Sequence, residues 1–382
     1  MRIDERYRWW LAGDSKFGLG TQSQDYGTLD LLRPAKVLFL DGNKEYAERY
    51  GSKSILRTYH GTEKNWKDWN DWAFNCAQNI DEVHGYGCRD LVPINEVFGI
   101  EGLLDNEDAY RWMGEQWTPG FLNALEGELH RRGKKLWPEP DGWRLWLFGC
   151  SPGHNLEDNF VGLRHLANVF RDPRIFGSVE HYYWQPGGGF FGDADYWYNG
   201  IGRLLKVRER MVELGIDKPV LWGEYNRKVD RGNHWDIMAH AAEIQEVTRW
   251  ANSLPWVVGI VYFLECAFDG SYDFHDFTLN RMPGMIDELL KPWDRFSEGR
   301  WAMPQVGVGF NKFSNLIGPW TEDEIYHSIG SDQETSLAVG AKGFATWRKK
   351  TNQTIAVCDN GEVYSDEGNQ GDGSLVKLQG IW

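Results

Sequence analysis

The sequence predicts a (β/α)8 TIM barrel of the α/β class, followed by a small C-terminal β-rich module. Three observations carry this. Eight short apolar runs recur up to residue 265. Helix-like segments separate most of them. After about residue 300 the alternation stops, and Gly, Thr, Ser and Asn become frequent. Strand–helix alternation repeated eight times is the pattern of a parallel barrel, whose usual length is ~250 residues. A doubly wound open sheet would carry a glycine fingerprint after its first strand. GLGTQ (18–22) has two of those glycines and lacks the third, and no GxxxxGK[ST] occurs anywhere.

The runs, in order, are KFGLGTQ (16–22), AKVLFLDG (35–42), SILRTYHG (54–61), RDLVPINE (89–96), WRLWLFGC (143–150), SVEHYYW (178–184), PVLWGEYN (219–226) and VVGIVYFLE (257–265). Short and rich in Val, Ile, Leu and aromatics, they read as strands buried on both faces. Helices are expected over 66–80, 106–131, 160–170, 198–214 and 236–253, with shorter connections at 25–33 and 43–50. In 198–214, residues Ile201, Leu204, Leu205, Val207, Met211 and Val212 fall mainly on one stripe, the mark of a helix laid on a core. Trp66, Trp69 and Trp72 share helical spacing and are expected to pack rather than to bind. Residues 1–303 are assigned to the barrel and 304–382 to the module. Within the module, 343–365 reads as two or three strands turned at Thr351-Asn352 and Asp359-Asn360-Gly361.

Composition narrows the function. The formal net charge of −15 repels phosphate backbones, so nucleic acid is not an expected partner. No apolar stretch reaches the ~20 residues of a membrane span. The opening MRIDERYRWWLAG lacks the apolar core of a secretory leader, so a cytoplasmic protein, or a trimmed or non-classically released one, is expected. Five scattered cysteines, none in CxxC spacing, argue against a disulfide scaffold or a zinc site; Cys150 and Cys266 lie in apolar runs. The chain holds 21 Trp, 16 Tyr and 19 Phe. That surplus suits sugar recognition, because the C–H face of a pyranose stacks on indole and phenol rings. A monomer without cofactor or metal is expected.

Barrel enzymes place their chemistry at the C-terminal ends of the strands. Here those ends carry Asp41, Tyr59 and His60, Asn95-Glu96, the segment Glu180-His181-Tyr182-Tyr183-Trp184, Glu224 and Glu265. Glu96 and Glu224 stand out. Val97 and Tyr225 follow them, and neither sits in a turn-like context. Two carboxylates facing across a bond are what glycoside hydrolysis requires, one protonated to donate and one ionised to attack.

An Asn-Glu pair ending the fourth strand and a lone Glu ending the seventh resemble the large clan of retaining (β/α)8 glycoside hydrolases, which includes cellulases, mannanases, β-galactosidases and β-xylosidases. The resemblance covers about residues 10–300. It implies that Glu96 is the acid/base, that Asn95 holds the substrate 2-hydroxyl, and that Glu224 is the nucleophile. It also implies that His181 or Tyr183 orients that nucleophile. Trp184, opening the glycine-rich loop 185–193, joins His60 and Glu265 in the expected substrate-binding set. Retention demands carboxyl groups ~5–5.5 Å apart. The sequence departs from the clan in having Val97 where Pro is common. It also has Tyr262, Phe263 and Glu265 where a Trp commonly ends the eighth strand. The C-terminal module is similar to short β modules appended to bacterial and phage glycan-acting proteins, which permits a cell-wall glycan as partner.

Two other classes share parts of this pattern. A metal-dependent barrel hydrolase would draw on His60, His154, His181 and His275, but no HxH lies on the first strand and no Lys ends a middle strand. The acidic segment 269–276 lacks the spacing of a calcium loop. A non-catalytic carbohydrate-binding barrel would keep the aromatics and lose a glutamate, whereas both glutamates are present.

Overall fold

All eight apolar runs form strands, and the strands close into one parallel barrel in chain order. The computed structural model describes residues 15–21, 26–59, 65–95, 103, 106–148, 162–184, 203–227, 241, 244–245, 247–248, 251–252, 254–263, 279, 284–290, 325–328, 335–340, 343–348, 353–358, 363–365 and 376–379. The strands are β1 (Phe17–Thr21), β2 (Lys36–Leu40), β3 (Ser54–Arg57), β4 (Asp90–Val92), β5 (Arg144–Leu147), β6 (Ile175–Trp184), β7 (Val220–Arg227) and β8 (Val257–Tyr262). The helices between them are α1 (Tyr26–Leu32), α2 (Lys44–Tyr50), α3 (Trp69–His84), α4 (Glu107–Trp112), α5 (Thr118–Arg131), α6 (Leu163–Arg171) and α7 (Arg203–Glu213). Residues 241, 244–245, 247–248 and 251–252 are helical too. A short α8 (Met285–Leu289) follows β8. No described helix is long and apolar enough to cross a membrane.

Strand alternation separates two apolar clusters. One gathers Leu38, Ile55, Val92, Trp146, Val179, Leu221 and Val261, one residue from each of β2 to β8. The other joins Phe17, Val37, Leu56, Leu91, Leu145, Val220 and Ile260 to the helices. Successive side chains on a strand point to opposite faces, so the first cluster fills the barrel interior and the second faces the helical ring. β1 contributes glycines, Gly18 and Gly20, between the outward-facing Phe17, Leu19 and Thr21. On β6, Gly177 permits a close approach: a Cβ there would collide with the Trp146 ring and the Pro219 carbonyl. Gly177→Ala should therefore cost about 1–3 kcal/mol by overpacking, read as a fall in urea midpoint at unchanged m-value.

Below the apolar layer lies a charged one. Asp90 on β4 is buried and accepts from Arg144 at 2.6 Å, Lys36 at 3.4 Å and the Trp146 indole at 3.0 Å. The Arg144 guanidinium also lies over the Phe176 ring. A buried carboxylate survives because cations and an N–H donor surround it. The closing seam between β8 and β1 has its own fastening. Lys16 Nζ donates to the carbonyls of Ala251, Asn252 and Leu254, and its backbone N–H donates to Asn252 Oδ1 at 2.8 Å. Burial pulls the Lys16 ammonium down to about 8.

The helices begin where capping chemistry dictates. Asp68 caps α3, its carboxylate accepting from the N–H groups of Asn70 and Asp71. The helix thus starts at Trp69 rather than at the expected residue 66, and Trp66 is buried just before it. Asn106 caps α4 through the Ala109 N–H. The expected helix over 106–131 is continuous but contains a π-helical turn, Met113–Trp117. There Gly114 lies so close to the His165 carbonyl that no side chain fits. Trp72 is fully buried. Cys76, Cys88 and Cys358 are buried free thiols; Cys150 and Cys266 lie outside the described residues.

The C-terminal region forms a separate six-stranded antiparallel sheet. Its strands are β9 (Ile325–Ser328), β10 (Thr335–Gly340), β11 (Gly343–Arg348), β12 (Gln353–Cys358), β13 (Val363–Ser365) and β14 (Val376–Gln379), paired in chain order. The expected turns at 351–352 and 359–361 fall between paired strands.

Candidate active site

Three acidic side chains are buried among the described residues: Asp90, Glu180 and Glu224. Asp90 belongs to the lower charged layer. Glu180 accepts from the Ser178 hydroxyl at 3.3 Å on its own strand. Glu224, 2% exposed, lies near the C-terminal end of β7 and is bonded by the guanidinium of Arg57. That pair joins the ends of β3 and β7 through the barrel mouth.

The surrounding strands fix Glu224 tightly. Trp222 and Tyr225 flank it on β7, both buried and 5.2 Å apart at their ring centroids. Tyr225 packs edge-on against Tyr262 of β8, and its carbonyl accepts from Phe263 N at 2.7 Å. Both rings face the helical layer because the strand register shifts between Trp222 and Tyr225; beyond that shift Glu224 alternates with Tyr225 and turns the other way, into the barrel. The β6–β7 ladder places His181 level with Glu224, after a register shift between Glu180 and His181. Tyr183 and Trp184 continue along β6, opposite Asn226 and Arg227. In the backbone register His181 is thus the residue of β6 paired with Glu224.

Asn95 is half-buried three residues beyond β4. The path to it is pinned from α3. The Trp72 indole N–H donates to the Pro93 carbonyl at 2.8 Å, and the Cys76 thiol reaches the same oxygen. Ile94 is buried. Glu96, His60 and Glu265 lie outside the described residues.

Arg57 is the site residue the sequence reading missed. Its signal was present: a lone cation in the apolar run SILRTYHG, with the same parity as the interior residue Ile55. Arg57 also lines a small cavity with Gly20, Leu38, Leu40 and Phe263. A guanidinium beside a buried carboxylate favours the ionised form and holds it in one orientation. Such a carboxylate is equipped to act as a nucleophile or to stabilise a cation. Among the described residues, no group of three or more His, Cys, Asp or Glu is placed to hold a metal ion. His60, His154 and His275 fall outside them.

No protein-family model matches the sequence, and no curated protein does. Among solved structures the chain is similar to an endo-β-1,3-glucanase of family GH128, subgroup I, from Amycolatopsis mediterranei, in complex with laminaritriose. The identity is 14% over 72% of this chain and 98% of that one, with a TM-score of 0.42. It is similar to xylanase 10B from Thermotoga maritima at 12% identity, over 76% of this chain and 98% of that one, with a TM-score of 0.44. It is also similar to a curdlan-specific exo-β-1,3-glucanase of GH128 subgroup III from Blastomyces gilchristii, at 14% identity, over 66% and 90%, with a TM-score of 0.41. The fold assignment rests on this chain's own strand order.

Proposed function

We propose that the barrel is a retaining glycoside hydrolase acting on a β-linked oligo- or polysaccharide. The observation that carries this reading is Glu224, buried on β7 three residues before its end and paired with Arg57 inside the mouth. A carboxylate held by a guanidinium at that place has a role in few reactions as direct as attack on an anomeric carbon. Glu224 would attack C1 while Glu96 gives its proton to the leaving oxygen. The glycosidic bond breaks and an ester to Glu224 forms. Water, deprotonated by Glu96, then opens the ester and restores the starting configuration. Asn95 would bind the 2-hydroxyl, His181 or Tyr183 would orient Glu224, and Trp184, His60 and Glu265 would line the sugar site. The proposal divides the chain into a catalytic barrel, 1–303, and a β module, 304–382.

The test is a panel of aryl β-glycosides and β-glucan, xylan and mannan oligosaccharides, with the first-formed product followed by proton NMR. Turnover that releases the β-anomer first is expected. Release of the α-anomer first would sink the double-displacement mechanism, and no turnover on any β-glycoside would sink the hydrolase reading.

A further inference from the structure

β1 turns two glycines toward the barrel interior, Gly18 and Gly20, and their surroundings differ. A Cβ at Gly18 would stand 3.1 Å from the Ile260 carbonyl oxygen and equally close to the Lys36 Cβ and carbonyl oxygen, so the two neighbouring strands leave no space for it. A Cβ at Gly20 would stand 3.5 Å from the Tyr262 carbonyl oxygen, 3.6 Å from Val261 Cγ1 and 3.8 Å from Phe263 Cδ2, which is ordinary van der Waals contact. Packing therefore accounts for Gly18 and not for Gly20. Glycine inside a strand is less stable than alanine, so Gly20 carries a cost that its neighbours do not explain. What it preserves is space. It borders a cavity of about 10 Å³, room for one water-sized group. Leu38, Leu40, Phe263 and Arg57 border the same space.

Arg57 is the charged wall of this cavity, with a side chain only 9% exposed. Through Nη1 it bonds Glu224, its one side-chain partner among the described residues. A guanidinium carries five N–H donors in a fixed fork, so donors remain for a second acceptor. Leu38, Leu40 and Phe263 have no polar side-chain atom to meet them. The Thr21 hydroxyl, at the edge of the same space, is paired with the Tyr46 hydroxyl at 3.1 Å. Size and charge together select what fits. A methyl group would leave buried donors unpaired, which is unfavourable. A carboxylate exceeds the space, and Glu224 already neutralises the arginine, so a second anion would be repelled. One neutral oxygen meets both demands. We propose that this pocket takes a single hydroxyl oxygen of the sugar bound at Glu224, accepting from Arg57, and that Gly20 sets specificity by keeping the room for it. This inference rests on the hydrolase reading.

The experiment compares wild type and Gly20→Ala on the best aryl β-glycoside and on its monodeoxy analogues, each lacking one hydroxyl. The added methyl fills the pocket without a clash, so circular dichroism should show Gly20→Ala folded with a Tm no lower than wild type. In wild type, removing the hydroxyl that enters the pocket should cost about 10–100-fold in kcat/KM, the size of a hydrogen bond to a charged group. Gly20→Ala should lower kcat/KM for the parent glycoside by a similar factor and leave that one analogue nearly unchanged. Its preference for the parent over that analogue should fall to within about threefold, while its preferences at the other positions stay as in wild type. Parent-to-analogue ratios that match wild type at every position overturn the pocket and leave the hydrolase reading intact. If no glycoside is turned over, calorimetric titration with laminarihexaose, cellohexaose, xylohexaose and mannohexaose separates the two ideas. Binding that weakens in Gly20→Ala upholds the pocket and rejects the hydrolase. Binding that does not change, or binding of none, overturns both.

Discussion

Glu224→Gln should lower kcat on the best β-glycoside by on the order of 10⁴-fold or more, as the loss of a covalent nucleophile does elsewhere. The substitution keeps the volume of the side chain and an oxygen that can accept from Arg57, so the change is one of charge. An amide neither attacks an anomeric carbon nor stabilises the oxocarbenium-like transition state. Leaving the buried Arg57 without its counter-ion should also reduce stability by roughly 3 kcal/mol. Activity must therefore be compared at a temperature where circular dichroism shows both proteins folded. Wild-type turnover in a folded Glu224→Gln protein would remove Glu224 from the chemistry.

Arg57→Met carries the second-largest expected effect, and its signature lies in pH. Arg57 and Glu224 are both buried, and Arg57→Met takes the guanidinium away from a buried carboxylate. The expected cost is about 3–5 kcal/mol at neutral pH. The variant can escape part of that cost by binding a proton on Glu224. Its folded state then holds a proton that its unfolded state has released, so the variant gains stability relative to wild type as pH falls. Urea unfolding at pH 7 and pH 5 should show a deficit that shrinks at the lower pH. The acidic limb of the kcat/KM profile should also move to higher pH, because only the ionised carboxylate attacks. A deficit identical at the two pH values would mean that Arg57 acts through packing rather than through charge.

The strands were legible because strands buried on both faces leave uninterrupted apolar runs, and here each run became one strand of the barrel. Boundaries were less so. β6 starts at Ile175, earlier than the expected 178, because Gly177 looks like a break in a linear reading. In the barrel it is the space that Trp146 needs. Likewise α3 starts at Trp69, where the Asp68 cap sets the first turn. At the site, parity and register did the most. Glu224 was visible as an acid ending an apolar strand. Arg57 was hidden inside a strand, and its partner lies 167 residues away. No local pattern predicts which strand faces which across a barrel.

The seam between β1 and β8 has a consequence for how the chain acquires this structure. Lys16 meets Asn252 across a separation of 236 residues, and β1 gains its second neighbour only when β8 exists. At about 5–20 residues per second, a ribosome takes roughly 10–50 s to add that length. Throughout this interval β1 and its glycines present one unpaired edge, at a stage when several helices already have the sequence they need. Ring closure is thus the last and most non-local step of the barrel's formation. A nascent chain halted before residue 257 would be open-edged, and would depend on chaperones in a way that the finished protein does not.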